Sequence, residues 1–199
     1  MGELFTAEFW DYFSPLLLTG TRDTLVMTVV STVFAYLLGL PLGVLLVLTG
    51  DHGICPHQTL NRCVGWVINV GRSLPFIILM VCVMPFTKIL VGTKIGVLGA
   101  IPPLVISAAP FIARMVETSL SEVDAGVVEA AQSMGASTFQ IVWKVYLPEA
   151  LPSLILGGSI SIITILAYTA IAGAIGAGGL GDLAIRYGYQ RREPAKMWV

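Results

Sequence analysis

The feature that most constrains this chain is a run of twenty-four residues, Leu25 to Leu48, without one charged side chain. Crossing the hydrocarbon of a bilayer takes about 20 predominantly apolar residues in a helix. A soluble fold has no use for an uncharged stretch of that length, so a membrane span is expected here. Gly39, Pro41 and Gly43 lie inside it. Small residues let helices approach closely and a proline can kink one, so helix packing is the expected role of these three.

Composition points the same way for the whole chain. Of 199 residues, 56% are hydrophobic and 12% charged, against about 45–50% and about 25% in soluble domains. Mean hydropathy is +0.86. The formal charge of −1 gives no ground for nucleic-acid binding, and the length accommodates one membrane domain over residues 1–199 without a second, catalytic one. The three cysteines, Cys55, Cys63 and Cys82, form no disulfide framework.

Further spans follow in order. Cys63 to Phe86 is apolar but contains Arg72, so either the arginine snorkels to the interface or the true span begins nearer Leu74. Ile95 to Ala113 carries no charge and ends in Arg114 and Glu117, three apart on one helical face. Those two can pair with each other, or Arg114 can hold the polar segment that follows. Ala150 to Leu180 is uncharged and too long for one span; division into a fourth span to about Ala172 and a glycine-rich turn is expected. Before the first span, Met1 to Gly20 carries acids and aromatics and no basic residue, which is unlike a cleavable signal peptide and suits an interfacial segment.

Two motifs are set aside on physical grounds. His52, Cys55, His57 and Cys63 are all potential zinc ligands, but their spacing lacks the paired CxxC or HxxxH geometry of structural sites. The connection Thr49 to Arg62 is expected to be a loop. Gly176 to Gly181 fits GxGxxG, yet a dinucleotide site requires a strand before it and a helix after it in a βαβ unit. Here the motif follows a membrane span.

The polar stretch from Ser121 to Pro148 has its own logic. Ser121 and Asp124 have capping-box spacing, so a helix is expected from near Asp124, with Val127, Val128, Ala130, Ala131 and Met134 on one apolar face. Gly135 can end it in the left-handed conformation. Ser137 with Gln140 repeats the start signal. A second short helix burying Phe139, Ile141, Val142 and Val145 is expected to stop before Pro148, since proline lacks an amide.

Glu129-Ala130-Ala131, Gly135, Val145 and Leu147-Pro148 at these spacings resemble the EAA loop of permease subunits of ATP-binding-cassette (ABC) importers, with valine at position 145 where isoleucine is usual. Ala109 to Glu117 narrows the resemblance to the permeases of methionine importers, and the similarity extends from about Leu25 to Tyr189. It implies an all-α permease bundle of five spans, four visible here with the start of a fifth at Met197-Trp198-Val199, where the chain is expected to be truncated. It implies a coupling loop over residues 118–149, in which Glu129, Ala130, Ala131, Gly135, Val145, Leu147 and Pro148 engage a separate ATPase.

The same resemblance implies a homodimer in the bacterial inner membrane, two cytoplasmic ATPase subunits that bind ATP and Mg, and an extracytoplasmic methionine-binding protein. It puts Ile171 where the pathway narrows, although simple packing accounts for that residue almost as well. Arg72 to Phe76 resembles the arginine-x-x-proline start of the corresponding helix; a positive residue anchoring a helix end is the equal alternative. Tyr168, Met80 and Met84, with Ser107, Ser159, Thr164 and Thr169, suit a pathway for a small solute with an apolar part. The implied topology leaves more Lys and Arg outside than inside, against the usual bias.

No phosphate-binding G-x-x-x-x-G-K-[ST] loop is present, so the chain is not itself expected to hydrolyse ATP. The spans lack central acids or lysines of the kind that relay ions. An ion-coupled secondary transporter, another amino-acid importer and a membrane-embedded enzyme are the competing classes; the last lacks a nucleophile, metal cluster or acid pair.

Overall fold

The structure, a computed structural model, describes residues 7–191. Residues 1–6 of the expected Met1 to Gly20 segment and the end at Met197-Trp198-Val199 lie outside the described residues. Every regular element among those described is helical.

Helix α1 (Ala7–Thr49) is 43 residues long, roughly 65 Å at about 1.5 Å per residue. The hydrocarbon core needs less than half of that. The expected span Leu25 to Leu48 is therefore the second half of one continuous helix, which begins upstream through the aromatic residues Trp10, Tyr12 and Phe13 and through Arg22 and Asp23. Two other helices are long and apolar enough to cross: α4 (Gly96–Ser121) and α8 (Leu151–Gly173). α4 is the most buried of the three. Rather than stopping at Ala113 it runs on through Arg114 and Glu117.

Of the two readings of Cys63 to Phe86, the structure takes the one in which the apolar helix begins nearer Leu74. The run is two helices, α2 (Gln58–Ser73) and α3 (Phe76–Val91), bent by 110° at Ser73 to Pro75. The cause is local. Pro75 disfavours helix at Leu74, which is extended at φ −83°, ψ 128°. The apolar helix thus begins at Phe76, past Arg72, which stays exposed in the last turn of the amphipathic α2.

Two compact units share these helices. The first comprises the chain up to Val33, Pro75–Val105 and the part from Ile162. Its core is Met27, Phe76, Met80, Ala100, Leu104, Ala172 and Ala177, with Val97, Tyr168 and Ile175 against it. The rings of Phe76 and Tyr168 stack at 4.6 Å and 3°. After α8 comes the expected glycine-rich turn, then a short α9 (Gly179–Leu183) and a π-helical turn Ala184–Gln190. Thr24 Oγ1 accepts from the Leu180 amide at 3.0 Å and so pins this turn to α1. Gly176 to Gly181 is preceded by a helix, which removes the context a dinucleotide site needs.

The second unit comprises Phe34–Leu74 and Ile106–Ser161. Leu46, Ile68 and Ala113 form its buried cluster, joined by Leu42 and Val64. Gly43 lets α1 and α4 touch: a Cβ there would lie 2.6 Å from the Ala113 carbonyl oxygen and 2.6 Å from Val116 Cβ. Side-chain hydrogen bonds tie the helices as well. Tyr36 Oη pairs with Ser161 Oγ at 3.4 Å, and Ser153 Oγ with Ser119 Oγ at 3.0 Å.

Candidate functional site

The polar stretch folds as helix, turn, helix, and each cap is visible. Helix α5 (Ala125–Ser133) is started by Asp124, whose carboxylate accepts from the Gly126 amide at 2.7 Å. The expected Ser121–Asp124 capping box is corrected: Ser121 ends α4 and donates to its own helix at the Glu117 carbonyl, so Asp124 caps alone. The far end is closed by paired bonds, Gly135 N–H to Gln132 O and Ala136 N–H to Ala131 O, with Gly135 at φ +78°. This is the Schellman arrangement, and it needs the left-handed backbone that a residue without Cβ reaches most easily.

One residue later the chain turns back into helix. Ser137 and Gln140 make the expected capping box, with Ser137 N–H donating to Gln140 Oε1 at 2.9 Å and Gln140 N–H to Ser137 Oγ at 3.4 Å. Helix α6 (Thr138–Ile141) passes into a π-helical turn, Val142–Tyr146, and then α7 (Leu147–Glu149). The expected stop before Pro148 is corrected. Leu147 N–H reaches back five residues to Val142 O, and that widened turn absorbs the missing amide and the ring of the proline that follows it.

The faces differ from expectation too. Val128 and Ala131 are buried in α5, and Ile141 and Tyr146 in the segment after the turn. Val127, Ala130 and Met134 are turned outward, and so is Phe139, which is 75% exposed. Val128 and Ala131 are three apart, and Ile141 and Tyr146 five apart across the π-helical turn, so each segment buries a narrow stripe, not a whole apolar half. Trp143, which the sequence pattern did not single out, is 64% exposed and stacks on Phe139 at 6.4 Å and 7°. Aromatics four apart in a polar segment were the available signal. With Met134, 81% exposed, they leave large apolar side chains on the open surface of this loop.

Glu129 and Ala130 are exposed on α5, Val145 and Leu147 are half-buried, and Pro148 is exposed. Two nearby contacts lie in the same unit, and the second of them reaches the stretch. Arg114 pairs with Glu117 and donates to Asn69 Oδ1 of α2 at 3.1 Å, so of its two expected roles it takes the pairing one and adds a tie to α2. Cys55 Sγ lies 3.7 Å from Thr138 Oγ1, so the loop after α1 touches the start of α6. In that loop His57 caps α2, accepting from the Leu60 amide at 3.3 Å. Among the described residues no three His, Cys, Asp or Glu side chains converge on a point. All three cysteines are free.

The pathway candidates fall in different settings. Met80 and Tyr168 share the core of the first unit, Met84 is half-buried, and Ile171 is exposed on α8. Ser159 is exposed and Ser107 buried, and Thr169, also buried, donates to the Leu166 carbonyl at 2.7 Å.

The family model for the binding-protein-dependent transport system inner membrane component matches residues 39–199. The chain belongs to this family. It is 50% identical over 97% of its length, and 86% of the relative's, to the probable D-methionine transport system permease protein MetI of Vibrio cholerae. To the D-methionine permease MetI of Escherichia coli it is 51% identical over 79% of this chain and 73% of that one. Among solved structures it superposes on a chain of the inward-facing MetNI methionine ABC transporter with TM-score 0.91 at 49% identity, covering 93% of this chain and 86% of that one. An amino acid ABC transporter at 21% identity and TM-score 0.73 shares the fold. This family member is an inner-membrane transport component, and its helical bundle is the importer-permease fold.

Proposed function

We propose that this chain is the permease subunit of an ATP-driven ABC importer and forms the translocation pathway for methionine, in the L form, the D form or close derivatives. The observation that carries this is the near end-to-end likeness to the D-methionine permeases. Two copies form the membrane core. Two cytoplasmic ATPase subunits bind ATP and Mg and hydrolyse ATP, while an extracytoplasmic methionine-binding protein selects and delivers the substrate. The permease itself is no enzyme.

We assign the helix-turn-helix at Asp124 to Glu149 as the segment that engages the ATPase, with Glu129, Ala130, Ala131, Gly135, Val145, Leu147 and Pro148 in it. Two properties support that role. The loop is internally capped at both helix starts and at the Gly135 turn, so it can transmit force as a rigid body. It also presents Met134, Phe139 and Trp143 outward, and an exposed apolar patch on a polar segment marks a protein contact. Closure of the ATPase pair on ATP would draw the two loops together and switch the pathway from inward-open to outward-open. Ile171, Tyr168, Met80 and Met84 are assigned to the pathway and its gate.

The test is purification from the native membrane in mild detergent, wild type beside Gly135→Pro, with the accompanying proteins identified by mass spectrometry. An ATPase that accompanies the wild type and is lost from a folded variant supports the assignment. No ATPase with either protein overturns it in favour of an ion-coupled transporter. Uptake of labelled methionine against other amino acids by the reconstituted complex then tests the substrate.

A further inference from the structure

Two arginines flank Asn69 in the second unit, and their surroundings differ. Arg114 of α4 donates to Asn69 Oδ1 and pairs with Glu117. Arg72 stands one turn beyond Asn69 on α2. It is exposed, and its guanidinium enters no ion pair or hydrogen bond among the described residues.

Depth makes that exposure costly. The residue before it, Gly71, packs on α4, where a Cβ would lie 2.9 Å from Pro110 Cγ. The same turn of α4 meets α1 at Gly39, where a Cβ would lie 2.9 Å from the Ala109 carbonyl oxygen. Gly39 stands inside the uncharged run Leu25 to Leu48, about 21 Å from its start and about 14 Å from its end along the helix. Arg72 is thus at membrane depth, too far in for its three-methylene stem to carry the charge to either interface. The backbone beside it makes the same demand. Leu74 and Pro75 leave the helix, both exposed, and Pro75 has no N–H to offer the Gly71 carbonyl. Irregular backbone is not tolerated against lipid; at this depth it lines a water-filled cavity or is covered by protein. An unpaired guanidinium obeys the same rule.

Charge and shape choose the ligand. The planar arginine fork holds a carboxylate through two parallel N–H donors, and such a pair is stronger where water is scarce. An amino acid carries that carboxylate. We propose that Arg72 faces the translocation pathway and binds the carboxylate of the transported amino acid as it passes the bend between α2 and α3. The inference rests on the function proposed above, and it adds a charged contact to the pathway residues assigned there. A carboxylate is common to the L and D forms, so this contact selects for an amino acid without selecting its hand. Cover by a second permease copy, with one of its acids on Arg72, is the competing outcome.

The test is ATP-dependent uptake of labelled methionine by proteoliposomes holding the full complex, with the binding protein saturating, in a Cys55→Ser, Cys63→Ser, Cys82→Ser background. Arg72→Gln should lower uptake by about tenfold or more, as loss of one partner from a charge-assisted pair does, and Arg72→Lys should retain more than Arg72→Gln. Arg72→Cys should recover uptake after reaction with cationic 2-aminoethyl methanethiosulfonate and not after the neutral methyl reagent; the background with Arg72 intact, treated alike, corrects for reaction at the partners. All three variants should co-purify with the ATPase and melt as the background does. Unchanged uptake in Arg72→Gln, or equal rescue by the neutral reagent, overturns the assignment and leaves the importer reading standing. Lost co-purification or a lowered melting midpoint in Arg72→Gln also overturns it, in favour of an ion pair between permease copies. If the background itself takes up no methionine with ATP, the function proposed above fails and the assignment falls with it.

Discussion

Two stacked aromatic pairs in this permease face opposite ways. Phe76 and Tyr168 lie in the core of the first unit, Phe76 at 6% exposure, and their rings are parallel at 4.6 Å. Phe139 and Trp143 are nearly parallel too, at 6.4 Å, but they stand on the open surface of the polar loop. Their chemistry is the same and their surroundings are not. A ring pair enclosed by Met27, Met80 and Leu104 stabilises the bundle through removal of apolar area from water or lipid contact. A ring pair left outside contributes little to the fold of this chain and is available to a partner. Aromatic content alone therefore says nothing about role; enclosure does.

The comparison can be broken by substitution, and the effects should fall off in a set order. Phe76→Ala should cost about 3–5 kcal/mol of stability, the usual range for a buried phenylalanine, measured as a fall in the midpoint of thermal unfolding in detergent. Gly43→Val forces a side chain against Ala113 and Val116; overpacking of this kind costs about 1–3 kcal/mol, and the same melt reads it. Gly135→Ala puts a Cβ on a residue at φ +78°, which costs about 1–2 kcal/mol. That loss is local to the turn, so transport activity should fall further than the melting midpoint does. The double change Phe139→Ser with Trp143→Ser should move stability by no more than about 0.5 kcal/mol, as exposed positions do, while removing most ATPase co-purification. If the double variant melts like Phe76→Ala, the outer pair is structural after all and the contrast fails.

A pH effect gives the finest discrimination. Tyr146 has a pKa raised above 10.0 by burial. Its contribution is therefore fully present below that value and is lost as pH rises through the folded-state pKa, because ionising the unfolded chain is easier. Tyr146→Phe should flatten the alkaline side of the stability profile and leave the neutral range unchanged.

Much of this was legible in the residues. Uncharged runs of membrane length placed α1, α4 and α8, since a helix satisfies its own backbone hydrogen bonds in hydrocarbon. Ser137, Gln140 and Gly135 announced the turn because capping depends on neighbours in the chain. The misjudged points share a cause. Ser121 has capping-box spacing from Asp124, but whether a serine starts a helix or ends the previous one depends on where α4 stops. Pro148 reads as a terminator, and only the widened turn at Val142–Tyr146 keeps the helix going. In the apolar run through Leu74, Pro75 marks where the helix breaks, but nothing local sets the 110° bend between its two halves.

The sequence by itself determined that this chain is a helical membrane protein with a capped polar hairpin, because hydropathy, capping and glycine conformations are decided within a few residues. Only the tertiary structure decided which apolar side chains are covered. It turned Val128 and Ile141 inward and Met134, Phe139 and Trp143 outward, because enclosure depends on what elements distant in the chain lay against each surface.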